Sequence, residues 1–149
     1  MPNLRPQGDC ARFTIQSSFQ NVADLAEEVG KLCGERPGSD VDTVDLVRLC
    51  VAEALNNIVE HAYDGAEGRP IFANVAIRDD RYEVVLIDEG KPLPDNTIPD
   101  GKADFDPDDF ENLPEGGFGW MLILTQMDAV AYERREGCNV LRLEKMFQG

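Results

Sequence analysis

Glu53, Asn57 and His61 place a carboxylate, a carboxamide and an imidazole at four-residue steps in the stretch Glu53-Ala-Leu-Asn-Asn-Ile-Val-Glu-His61. Four residues advance an α-helix by about 40° beyond one full turn, so a helix through this stretch carries all three groups along one edge. A half-buried carboxylate or carboxamide needs a partner, and a metal ion, phosphate oxygens or an ordered water can each serve. A solvated helix edge is the plainer alternative. Two further motifs lie downstream. Asp88-Glu-Gly90 leaves an apolar, β-rich run. A carboxylate there can accept a hydrogen bond from an exocyclic amine, and a glycine two residues on presents no Cβ to a flat ring. An ordinary strand-to-turn Asp-x-Gly uses the same residues. Gly116-Gly-Phe-Gly119 stands ahead of an apolar run. Glycines at a helix start bring backbone N–H groups up to an anion, where the helix dipole favours phosphate. A hinge that closes a loop would look alike.

These groups need elements to hold them. Val44, Val47, Val51, Leu55, Ile58 and Ala62 recur at three- and four-residue steps and predict a long helix over 41–63, ending near Asp64-Gly65. Before it, residues 11–16 alternate as a strand, and Ser17 with Gln20 offers a capping box. The helix that follows has an apolar face of Val22, Leu25, Ala26, Val29, Leu32 and Cys33, with Gly34 placed to end it. Residues 71–78 and 81–87 read as a hairpin turned at Asp79-Asp80, whose second strand delivers Asp88. Five prolines between 89 and 115 (Pro92, Pro94, Pro99, Pro107 and Pro114) forbid a helix or central strand, and acidic residues there outnumber Lys91 and Lys102. Loops of that length inside a compact domain are usually functional lids or disordered segments. An apolar helix over 118–127 and a closing hairpin, 130–133 with 140–147, complete the order β-α-α-β-β-loop-α-β-β. That order predicts an α+β fold, a two-layer α/β sandwich with helices packed on one face of a mixed, largely antiparallel sheet.

The 149 residues suit one domain, 1–149, with the 89–115 loop inside it. A net charge of −15 speaks against direct nucleic-acid binding and favours a basic protein partner. No apolar run reaches bilayer length and the N-terminus lacks a signal-type apolar core, so a soluble cytoplasmic protein without membrane contact is expected. Cys10, Cys33, Cys50 and Cys138 are scattered, with one histidine in the chain. Cys33 and Cys50 fall on apolar helix faces and are expected to be reduced core thiols.

E-x-x-x-N on a helix, D-x-G at a strand end, a long loop and G-G-x-G entering a helix, in that order, resemble the N, G1 and G2 boxes of the GHKL, or Bergerat-fold, ATPase superfamily. Within it the chain is most similar to the anti-sigma-factor serine/threonine kinases. Val51-Ala-Glu-Ala-Leu-Asn-Asn-Ile-Val-Glu-His-Ala-Tyr63 carries the likeness in the N box, and Gly116-Gly-Phe-Gly-Trp-Met-Leu-Ile-Leu-Thr-Gln-Met-Asp128 carries it in the G2 box. The tail, Gly137-Cys-Asn-Val-Leu-Arg-Leu-Glu-Lys145, matches the closing strand. The resemblance implies ATP and Mg²⁺, with Asn57 as the metal ligand, Asp88 as the adenine-reading carboxylate and Gly90 beneath the base. It implies Gly117 and Gly119 at the phosphates, Gly116 as the hinge of an ATP lid, and Glu53 as catalytic base toward a substrate hydroxyl. His61 matches a family position to which spacing assigns no chemistry. Implied partners are a STAS-type anti-sigma-factor antagonist, which would be phosphorylated, and a sigma factor; a homodimer is also compatible. Where some family members carry a basic residue before the G2 glycines, this chain has Glu115. A carboxylate near the terminal phosphate opposes closure electrostatically. The alternative function is therefore a Mg·ATP-dependent protein-binding module with weak or no transfer. A sensor histidine kinase is disfavoured, because the one histidine lies within the N box.

Overall fold

The computed structural model describes residues 9–99 and 117–147. Its elements are β1 (Asp9–Gln16), α1 (Phe19–Gly34), α2 (Val41–Asn57) running on into a π-helical turn (Ile58–Ala62), β2 (Pro70–Ile77) and β3 (Arg81–Asp88). A short 3-10 turn (Pro94–Asn96), α3 (Gly117–Gln126), β4 (Ala129–Arg135) and β5 (Cys138–Met146) follow. The order is the one anticipated from periodicity. The five strands form one sheet, β1-β2-β3-β5-β4. Every described pairing is antiparallel rather than mixed. Connection parity explains this. The α1–α2 pair returns the chain so that β2 runs against β1. β3 and β4 run codirectionally, and β5 inserts between them as the antiparallel neighbour of both.

Alternation places Tyr82, Val84, Leu86 and Asp88 of β3 on the face that the helices cover, and all four are buried. Ile71, Ala73 and Val75 of β2 and Leu141 and Leu143 of β5 extend that face. Against it pack Val22, Leu25 and Val29 of α1, Val47, Val51 and Leu55 of α2, Trp120 and Ile123 of α3, and Met127 just after it. Cys33 and Cys50 lie buried among them as free thiols. Burial pushes Cys33 up to about 12 and Cys50 up to about 11, so both stay protonated and unreactive.

The start of α1 differs from expectation. Ser18 is the N-cap, accepting a hydrogen bond from Asn21 N–H at 3.0 Å, while Ser17 is buried one residue earlier. Ser17 instead stitches β1 to the approach of β2. Its hydroxyl donates to Ala66 O at 2.7 Å and accepts from Arg69 N–H at 3.0 Å. Two serines in a row can each cap, and only the loop above Ser17 decides between them. Ser17→Ala would leave a carbonyl and an amide without that partner in a buried place. Urea denaturation should show a loss of about 1–3 kcal/mol.

Candidate active site

Helix α2 begins at Asp40, whose carboxylate accepts from Thr43 N–H at 3.0 Å, and its apolar stripe buries the helix along the sheet. That stripe leaves Glu53 and Asn57 half-buried on the flank toward α3. Gly119, in the first turn of α3, sits directly against them. A Cβ there would lie 2.9 Å from Glu53 Oε2 and 3.5 Å from Asn57 Nδ2. Asn57 Nδ2 is buried with no hydrogen-bond partner among the described residues. An orphaned amide, a carboxylate and the backbone of Gly119 thus lie together. Such a grouping suits a polar ligand that supplies the missing partners.

His61 is not part of it. After Asn57 the helix loosens, with Tyr63 N–H bonding Ile58 O at 3.0 Å in i→i+5 fashion. The α-helical spacing that aligned three side chains therefore stops at Asn57. His61 is exposed, its Nε2 3.7 Å from Glu60 Oε2. The π-turn has a structural use. It presents Ala62 O to Lys91 N–H at 2.9 Å and brings the turn after β3 so close that a Cβ on Gly90 would stand 2.4 Å from that oxygen. Tyr63 adds a second tie, accepting from Glu89 N–H at 2.8 Å and donating to Pro70 O.

Asp88 ends the core-facing row of β3 and is 3% exposed. Its Oδ1 accepts from Gly90 N–H at 2.9 Å and from Asn139 Nδ2 at 2.8 Å. Burial pushes the carboxyl above its usual range, while those two bonds and the Arg134 charge pull it back down. Asn139 sits directly across the ladder from Asp88. Sequence reasoning missed it, along with Tyr132, Arg134 and Tyr63. For Asn139 a signal existed: it breaks the inward row of Leu141 and Leu143 with a polar side chain.

Of the glycines expected at phosphate, Gly117 opens α3 by its backbone and Gly119 faces Glu53 and Asn57. Gly116, Glu115, Lys102 and the expected lid from residue 100 onward lie outside the described residues. Lys91 is engaged at the surface with Asp64, 2.7 Å away. No cluster of three or more His, Cys, Asp or Glu side chains suited to a metal occurs among the described residues. Gly90→Ala would drive a methyl into backbone that cannot yield without displacing the turn. Denaturant unfolding should show a loss of about 1–3 kcal/mol.

Comparison with known proteins bears on this arrangement. The sequence profile of the histidine kinase-like ATPase domain matches residues 15–145. The serine-protein kinase RsbW of Halalkalibacterium halodurans is 32% identical over 143 residues, 95% of this chain and 86% of that protein. The serine-protein kinase RsbW of Oceanobacillus iheyensis is 30% identical over 107 residues, covering 71% of this chain and 68% of its own. The profile match runs from the end of β1 to the end of β5 and takes in every box described above, so the chain belongs to the histidine kinase-like ATPase domain family.

Proposed function

We propose that this protein is an ATP-dependent serine/threonine protein kinase of the anti-sigma-factor type, acting in the cytoplasm. Its substrate would be a STAS-type anti-sigma-factor antagonist, and its regulatory target a sigma factor. The observation that carries the reading is the meeting of Glu53, Asn57 and Gly119 in the first turn of α3. Chain-long similarity to proteins named serine-protein kinases supports it. The net charge of −15 suits a partner that offers a basic surface.

In this reading the first turn of α3 receives the phosphates, with backbone N–H groups and the helix dipole favouring their charge. Asp88 accepts from the amine of adenine, while Gly90 keeps the turn beside it packed on Ala62. Glu53 accepts the proton as the antagonist's hydroxyl oxygen attacks the γ-phosphorus; the bond to the β,γ-bridging oxygen breaks and ADP leaves. Asn57 Nδ2, buried without a partner among the described residues, is a donor that suits a phosphate oxygen, and the carboxamide oxygen Oδ1 is the atom that would hold a hard divalent cation. With so few carboxylates gathered nearby, such an ion would draw most of its ligands from phosphate and water, the habit of Mg²⁺. Mg²⁺ bound there would neutralise phosphate charge and orient the triphosphate.

Glu53→Gln keeps the side-chain volume, so nucleotide affinity should hold while phosphate incorporation into a purified antagonist falls by about 10²–10⁴-fold. Asn57→Ala should lose binding and transfer together. Equal transfer by Glu53→Gln and wild type would remove the base assignment. ATP and antagonist binding without any wild-type transfer would favour a non-catalytic binding module. Asp88→Asn separates recognition from stability. Because burial raises its folded pKa, ionised Asp88 costs stability above that pKa and the cost vanishes as pH falls through it. At pH 8 the Asn variant should therefore unfold at no lower temperature than wild type. Its ATP affinity should fall by about tenfold or more, because a donor then faces the amine.

A further inference from the structure

Asn139 uses every hydrogen-bonding position that a carboxamide has. Its Nδ2 donates to Asp88 Oδ1 at 2.8 Å and to Lys91 O at 2.7 Å. Its Oδ1 accepts from the Tyr132 hydroxyl at 2.5 Å and from Arg134 at 3.1 Å. Two donors behind and two acceptors in front allow one orientation of the amide and no other. Tyr132 and Arg134 come from the edge strand β4, and each also grips the turn beyond Asp88. The Tyr132 hydroxyl accepts from Leu93 N–H at 3.1 Å, and Arg134 donates to Gly90 O at 2.7 Å. Both bonds to the Asp88 carboxylate, from Gly90 N–H and from Asn139, fall on Oδ1. No donor from the described residues reaches Oδ2.

We infer that Asn139, locked by Tyr132 and Arg134, is the positioning residue that sets purine selectivity, by saturating one oxygen of Asp88 and leaving the other as a fixed acceptor for a 6-amino group. This rests on the reading of the pocket as an adenine-nucleotide site. A 6-oxo purine would set oxygen against oxygen, and a carboxylate held this way cannot swing aside to relieve it. The charged and titratable groups around Asp88 are Arg134 on β4, Tyr63 at the end of the π-turn and Glu89 next along the chain. Asn139 is the neutral member that favours the ionised carboxylate by a hydrogen bond. Its removal should move the protonation of Asp88 toward neutral pH.

Asn139→Asp preserves shape, loses both donated bonds and sets a carboxylate against Asp88. Calorimetric titration of the full chain with ATP and with inosine triphosphate, from pH 5.5 to 9, reads the effect. The ratio of ATP to inosine triphosphate affinity should fall by about tenfold. The acid limb of ATP binding should move up by about one pH unit. Tyr132→Phe, which removes one lock and keeps the ring, should change both in the same direction by less. If Asn139→Asp does not fold, Tyr132→Phe decides the question. An equal loss for both nucleotides with an unmoved pH profile would make Asn139 a structural residue and overturn the inference. A wild type that binds neither nucleotide would remove the adenine reading and the inference together. ATP binding by wild type with an unchanged ratio in the variants would remove the inference alone.

Discussion

Burying a carboxylate at the end of a central strand is expensive unless its oxygens are met by donors, and Asp88 is that carboxylate. Much of the surrounding structure meets the demand. The turn after β3 folds back so that Gly90 N–H reaches Asp88, and that fold is possible only because the π-turn offers Ala62 O to the next residue and Gly90 has no side chain to obstruct it. The same oxygen is met a second time by Asn139, which lies opposite Asp88 in the pairing of the closing hairpin with β3. Asp88 thus ties together three elements remote in sequence: the end of the α2 extension, the β3 turn and the β4–β5 hairpin.

Helix α2 borders two separate groups of contacts. Along its regular part it carries Glu53 and Asn57 toward α3; along its loosened end it receives the turn that follows Asp88. A carbonyl in the last turn of a helix has no donor within it, and Ala62 O takes Lys91 N–H at 2.9 Å. Glycine appears at both contacts for one reason. At Gly119 and at Gly90 the neighbouring atoms already occupy the space a Cβ would need.

The sequence made most of the scaffold legible because the signals were local. Three-and-four spacing marked the helices, alternation marked the strands, and Asp88 and Gly90 stood out against an apolar run. Glu53 and Asn57 were readable as a pair because regular helix geometry holds between them. The same geometry mispredicted His61, since nothing in the spacing of Ile58 to Ala62 announces a π-turn; its cause is the tertiary pull of the β3 turn. Ser17 and Ser18 were indistinguishable as caps until the chain near Ala66 was placed over the first of them. Asn139, Tyr132 and Arg134 were invisible as a group, because only the insertion of β5 between β3 and β4 puts them beside Asp88. The acidic, proline-rich character of the 89–115 segment was plain, but composition does not say what such a segment touches.

The placement of β5 has a consequence for how the molecule is made. Chains leave the ribosome from the N-terminus, and domains tend to fold in that order. By the time Asp88 has emerged, α1, α2 and β1 to β3 are all available to collapse on one another. Until Asn139 arrives, however, β3 is an edge strand with Val84 and Leu86 on its inner face and a carboxylate lacking half of its support. An unpaired apolar edge of that kind is the surface through which strands of different chains join. The strand that seals that edge also completes the surroundings of Asp88, so a nascent chain stays open to aggregation until β5 has emerged.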